Sequence, residues 1–123
     1  MCSFSELKVD KCLAPSHIRS FLRYHRDKFT RVYPKGARVD SSNYDPVKLW
    51  NLGIQLVALN YQTPDKAMQL NQAKFRQNGY CGYILRPEFM FADDYDATSL
   101  SSLGSIAPLS FSLKVSNLHL FFC

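Results

Sequence analysis

A chain of 123 residues with 46% hydrophobic and 14% aromatic content suits one small globular domain with its own core. It holds no apolar run near the roughly 20 residues a membrane helix needs, and its start, Met-Cys-Ser-Phe-Ser-Glu, shows no basic region followed by an apolar secretory segment. The net charge of +5 is uneven: residues 1–40 hold nine Lys/Arg and four Asp/Glu, whereas residues 41–123 hold six of each. That excess marks either a solvated helix face or a surface for an anionic ligand or lipid. Cys2, Cys12, Cys81 and Cys123 are widely spaced, with no Cys-x-x-Cys pair. They read as free, mostly buried thiols of a reducing compartment. His17, His25 and His119 form no metal-ligand spacing with them, so no metal site is expected in this chain.

In chain order, residues 1–5 read as a strand. Ser5 with Glu6 caps a short helix that carries Leu7, Cys12 and Leu13. Pro15 opens a second helix, where Ile18, Phe21, Leu22 and His25 recur at intervals of three and four and form one buried stripe. No second histidine or acid stands near His25 to activate it, so its expected role is structural. Arg31, Val32 and Tyr33 alternate as in a strand, which sends Arg31 and Tyr33 to one face and Val32 to the other. Pro34-Lys35-Gly36 is a turn, and Asp40 to Asn43 is a loop of short polar side chains tied down by its own bonds. Lys35 and Arg38 read as solvated cations.

Asp45 is an N-cap with Pro46 at the first helical position. The helix carries Val47, Leu49 and Trp50 and stops at Gly53. Ile54 to Tyr61 is nearly continuous in apolar residues, the pattern of a strand buried on both faces, with Trp50 and Tyr61 in the core. Thr63 and Pro64 are the expected N-cap and first residue of the next helix. Met68, Asn71, Gln72 and Phe75 line one side of it, and Asn78-Gly79 ends it. Tyr83 to Pro87 reads as a further strand, with Arg86 near its end as a weaker candidate for the ligand-binding mouth. Asp93, Asp94 and Asp96 form an acidic spot, and Ser99 to Ser105 is a linker. Ser110 to Val115 alternates like a half-exposed antiparallel strand.

Strand, helix, strand, helix, strand between Arg31 and Pro87 predicts an α/β fold with a parallel sheet. A closed (β/α) barrel needs about 250 residues. The expected fold is therefore the second half of a TIM-like barrel, about strands 5–8, with naked sheet edges. A strand delivers Arg31 and Tyr33 to its C-terminal end, where α/β architectures bind ligands. From the residues alone this is an anion site of open purpose.

Several long motifs resemble the Y-box of eukaryotic phosphoinositide-specific phospholipase C, the gamma type most of all. They are Arg31-Val-Tyr-Pro-Lys-Gly-x-Arg-Val-Asp-Ser-Ser-Asn-Tyr-Asp-Pro46, Gln55-Leu-Val-Ala-Leu-Asn-Tyr-Gln-Thr63, Met68-Gln-Leu-Asn71 and Asn78-Gly-x-Cys-Gly-Tyr83. Ser3-Phe-Ser-Glu-Leu-Lys8 and Thr63-Pro-Asp-Lys66 carry the gamma leaning. The resemblance implies a barrel made of an X half and a Y half. Calcium and two histidines, all held by the X half, cleave phosphatidylinositol 4,5-bisphosphate to diacylglycerol and inositol 1,4,5-trisphosphate. It implies that Ser3 and Arg31 contact one ring phosphate and that Tyr33 packs on the inositol ring. No catalytic residue and no metal ligand falls in this chain.

The expected organisation is residues 1–91 as the Y half, 92–108 as linker and 109–123 as the truncated first strand of a lipid-binding β-sandwich. Where some relatives carry a tryptophan on a membrane ridge, this chain has Ala37. The final Leu-Phe-Phe-Cys departs from the sandwich pattern, as in a truncated product. Expected partners are the X half, the phosphoinositide and an anionic membrane at the inner face of the plasma membrane, from a cytoplasmic location. The alternative is a non-catalytic phosphoinositide or membrane-binding module. A nucleic-acid binder is set aside, because the aromatic-and-basic interleaving of a single-strand platform is missing.

Overall fold

The computed structural model describes residues 1–12, 14–99, 110–112 and 114. Three strands, β1 (Cys2–Ser5), β2 (Thr30–Tyr33) and β3 (Leu56–Val57), form a parallel sheet in the order β1-β2-β3. Cys2 pairs with Thr30, Ser3 with Arg31, Phe4 with Val32 and Ser5 with Tyr33; Arg31 then pairs with Leu56 and Val32 with Val57. Four helices accompany them: α1 (Glu6–Cys12), α2 (Pro15–Tyr24), α3 (Pro46–Asn51) and α4 (Lys66–Phe75). Among the described residues no helix is long and apolar enough to cross a membrane.

Among the described residues the sheet is covered on one face only. Val32 is fully buried and Phe4 packs against the same core, which gathers Val9 of α1, Ile18 and Leu22 of α2, and Leu49 of α3. Burial of one such side chain stabilises by roughly 1.5–3 kcal/mol. The period of two therefore sends Ser3, Arg31, Tyr33 and Leu56 to the bare face, where all four are exposed.

The helix starts follow the chemistry of their caps. Pro15 opens α2, and the Asp45 carboxylate accepts the Val47 N–H at 3.0 Å with Pro46 in the first turn. His25 is structural, as expected. It is 1% exposed, with Nδ1 3.0 Å from the Leu52 carbonyl and Nε2 2.9 Å from Thr30 Oγ1. Gly53 stops α3 with φ of +75°, and a Cβ there would lie 2.6 Å from Arg86 Cζ.

Several expectations are corrected. Only Leu56–Val57 of the run from Ile54 to Tyr61 joins the ladder, and side chains take the flanking backbone groups: Gln55 accepts the Thr30 N–H, Tyr44 donates to the Ala58 carbonyl and Asn43 accepts the Asn60 N–H. Leu56 is 42% exposed and Tyr61 72%, so this strand is not buried on both faces and Tyr61 is outside the core. Trp50 is half-buried. Asp65, not Thr63, caps α4, accepting the Met68 N–H at 3.0 Å, while the Thr63 hydroxyl donates to the Ser41 carbonyl instead. On α4 Met68 and Asn71 are buried and Phe75 half-buried, but Gln72 is exposed. Leu7 is exposed, and Val9 takes the core position of α1.

Residues 83–87 form no strand. Arg86 turns inward instead, donating from Nη1 to the His25 carbonyl and from Nη2 to the Met90 carbonyl. It ties the underside of the fold, at the end of the sheet where Thr30 lies, and is not at the mouth. Cys81 is exposed and Cys2 half-buried, so neither of these two thiols is buried; the Cys12 side chain and Cys123 lie outside the described residues. Of the acidic spot, Asp93 pairs with Arg26 at 2.8 Å, and Tyr95 is buried with its hydroxyl donating to the Asn51 carbonyl. Residues 110–112 and 114 are exposed and in no strand. The rest of the expected strand, the linker from residue 100 and the final Leu-Phe-Phe-Cys lie outside the described residues.

Candidate functional site

Parallel pairing puts the C-terminal ends of β1 and β2 side by side, with Ser3 opposite Arg31. The Arg31 guanidinium stands on the bare face, 3.4 Å from Ser3 Oγ, with its carbon 5.3 Å from the centre of the Tyr33 ring. Three residues from two strands thus present a planar cation, a hydroxyl and an aromatic face to solvent. A guanidinium fork with a hydroxyl beside it suits a phosphate, and an aromatic face suits the apolar side of a sugar-like ring. Ser3, Arg31 and Tyr33, expected together from the sequence, are together.

The loop that leaves Tyr33 is held by a partner far away in sequence. Glu6, 7% exposed, accepts the Lys35 N–H at 2.8 Å and Arg38 Nε at 2.7 Å on Oε1, and Arg38 Nη2 at 2.6 Å on Oε2. The Arg38 fork holds the Glu6 carboxyl below its ordinary pKa, and Glu6 in turn raises that of Arg38. Arg38 is therefore no solvated cation. Its Nη1 also donates to Ser42 Oγ at 2.9 Å and to the Asn43 carbonyl at 3.3 Å.

Asn43 carries the network to the end of β3. Its side chain donates to the Asn60 carbonyl and accepts the Asn60 N–H at 2.6 Å, and its own N–H donates to Asp65. Asp40 accepts both the N–H and the hydroxyl of Ser42, as expected of a self-tied loop, but Asn43 ties outward. Beneath, the buried Tyr44 hydroxyl lies 2.6 Å from the Ala58 carbonyl and 3.2 Å from that of Val32, and burial pushes its phenol pKa up.

Glu6, Arg38 and Asn43 were missed as parts of the site. Glu6 sits 32 residues from Arg38, and locally it resembles an ordinary helix-start acid. Neither period nor spacing reveals such a pair. A concavity of about 1040 Å³ adjoins Arg31 between β3, α4 and residues 80–87, walled by Leu56, Trp50, Phe75, Tyr83 and Leu85. In it Lys74 lies 4.8 Å from the centre of the Trp50 ring, and burial holds its pKa down. Among the described residues no group of three or more His, Cys, Asp or Glu could hold a metal ion, so the donor set does not fit calcium.

Comparison with known proteins places the chain in a family. The sequence profile described as "Phosphatidylinositol-specific phospholipase C, Y domain" matches residues 1–89. The gamma-type 1-phosphatidylinositol 4,5-bisphosphate phosphodiesterase plc-3 of Caenorhabditis elegans is 47% identical over 115 residues, 94% of this chain and 8% of its own length. The human beta-4 enzyme of the same name is 47% identical over 117 residues, covering 94% and 10%. The rat gamma-2 enzyme is 55% identical over 94 residues, covering 76% and 7%. The crystal structure of L. pealei PLC21 superposes with a TM-score of 0.70 at 47% identity, over 76% of this chain and 12% of that one. The chain thus spans about a tenth of the length of the curated relatives it matches.

Proposed function

Because this chain belongs to the phosphatidylinositol-specific phospholipase C family, as its Y domain, we propose that it is the Y half of a catalytic barrel that hydrolyses phosphatidylinositol 4,5-bisphosphate. Residues 1–91 form the half-barrel, 92–108 the linker and 109–123 the start of a lipid-binding β-sandwich. The protein works at the cytoplasmic face of the plasma membrane, against anionic lipid, with the X half as partner. Ser3 and Arg31 hold a ring phosphate, and Tyr33 packs on the inositol ring.

The observation that carries this reading is the bare face. A parallel sheet is ordinarily covered on both faces, and here one face is left with Arg31, Tyr33, Ser3 and Leu56 exposed. A closing half would turn that face into a barrel interior with the three polar residues at its C-terminal mouth. Enclosure by the second half lowers the local dielectric and strengthens the Arg31–phosphate attraction. The residues of this chain bind and orient the headgroup. The proton transfers that cleave the phosphodiester belong to the X half, which would also hold calcium; that ion would supply stabilisation of charge developing on the phosphate.

Hydrolysis of labelled phosphatidylinositol 4,5-bisphosphate in calcium tests the reading. The chain alone releases no inositol phosphate, and turnover appears when a separate X half is added. Arg31→Ala abolishes that turnover. Release of inositol phosphate by the chain alone contradicts the assignment. Headgroup binding that an added X half leaves unchanged, without turnover, supports a non-catalytic phosphoinositide-binding module instead.

A further inference from the structure

We infer that Glu6 and Arg38 are positioning residues that set the geometry of the anion face formed by Ser3, Arg31 and Tyr33. The inference rests on the headgroup reading above and adds residues that touch no ligand.

The β1–β2 register ends at Ser5 opposite Tyr33. Past that rung β1 turns directly into α1, so the backbone ladder has no further partner for β2. Glu6 replaces it. Its carboxylate takes the Lys35 N–H at 2.8 Å, a side-chain rung one step beyond Tyr33 and Pro34. The same carboxylate grips Arg38 with both oxygens, and Arg38 passes the connection to Ser42 and Asn43. Asn43 joins Asn60, just past β3, and Asp65, the cap of α4. One polar chain therefore ties the C-terminal ends of all three strands, beside the residues that face the anion.

Stability alone does not account for this arrangement. A largely buried ion pair stabilises a fold no better than apolar side chains of similar size, since desolvation offsets the attraction. What the pair provides is directional: a two-oxygen, two-nitrogen fork accepts one relative orientation. It also neutralises Arg38 and leaves Arg31, whose only side-chain hydrogen bond among the described residues is the long one to Ser3, available to an anion. A guanidinium displaced by about an ångström loses much of its advantage with a phosphate held at a second point.

The test is an NMR titration of the chain, combined with a separate X half, with inositol 1,4,5-trisphosphate and, separately, inositol 1,4-bisphosphate. Four variants accompany the unsubstituted chain: Glu6→Gln, Arg38→Lys, Arg31→Ala, and Ile18→Ala as a core variant for comparable loss of melting temperature. Glu6→Gln is expected to weaken trisphosphate binding about tenfold or more and to erase most of the preference for it over the bisphosphate. Arg38→Lys, which keeps the charge and loses the fork, falls between. Ile18→Ala keeps both affinity and preference at a temperature where it is folded. If Glu6→Gln keeps the preference while Arg31→Ala loses it, the positioning role is overturned and the headgroup reading stands. If Ile18→Ala loses the preference as Glu6→Gln does, the effect is one of stability and the positioning role is again overturned. If the unsubstituted chain combined with a separate X half binds neither compound, the headgroup reading falls and the positioning role with it.

Discussion

Arg31 and Arg38 belong to one loop-and-strand segment and have the same side chain, yet their surroundings give them opposite work. Arg38 is held at 2.6–2.9 Å by Glu6 and Ser42, whereas Arg31 faces solvent with Ser3 at 3.4 Å. A satisfied guanidinium organises its loop; a solvent-facing one can meet an anion, which is the work proposed for Arg31. His25 shows the same dependence on surroundings. Burial pulls its pKa from 6.5 to about 4, while both ring nitrogens are engaged. The unfolded ring binds a proton near 6.5, so the neutral buried state stabilises the fold fully above that pH and loses its advantage as pH falls toward 4. The loss is on the order of 3 kcal/mol. Glu6, whose pKa is lowered by Arg38, adds a second loss below its ordinary value of 4.5. Melting temperature should therefore fall between pH 6.5 and 4 and fall further below it. His25→Gln should flatten the first limb and Glu6→Gln the second. A melting temperature unchanged from pH 7 to 4.5 in the unsubstituted chain would contradict the His25 account.

Among the elements, α4 and the loop before it depend on one carboxylate. Asp65 caps the helix through Met68 and holds Asn43 through its other oxygen. Asp65→Ala should cost about 1 kcal/mol for the cap and more for the released Asn43, and amide hydrogen exchange in residues 41–43 should rise with it. Asp45→Ala removes a cap with no such second contact, and about 1 kcal/mol without the loop effect is expected. At the exit of α3, Gly53→Ala meets both a positive φ and the Arg86 guanidinium. A loss of roughly 1–3 kcal/mol in denaturant unfolding is expected, and a neutral result would show that Arg86 can leave its seat.

At the scale of the whole molecule, the governing fact is a sheet that the described residues leave bare on one face, with an apolar concavity beside β3. Exposed Leu56, Tyr61 and Tyr83 are positions that a second half would cover. The chain alone should bind an apolar-surface dye and associate with itself as concentration rises. An added X half should suppress both and raise the melting temperature by mass action. Dye binding unchanged by a saturating X half would tell against closure of the barrel.

The sequence by itself determined what local periods and caps dictate. Alternation put Arg31 and Tyr33 together and Val32 in the core, Asp45-Pro46 started α3, and the stripe of α2 ended on a structural His25. It also carried the family, because long motifs survive where single contacts cannot be inferred. Tertiary structure alone decided the rest. Glu6 chose Arg38 and Asp65 displaced Thr63 as a cap, because a charged or carboxylate group bonds whichever donors the fold brings to it. Residues 83–87 formed no strand, because a strand exists only when a neighbouring edge pairs with it, and Arg86 found carbonyls beneath the sheet instead. A period of two or 3.6 is written within a few residues; a contact 32 residues long is written only in the folded chain.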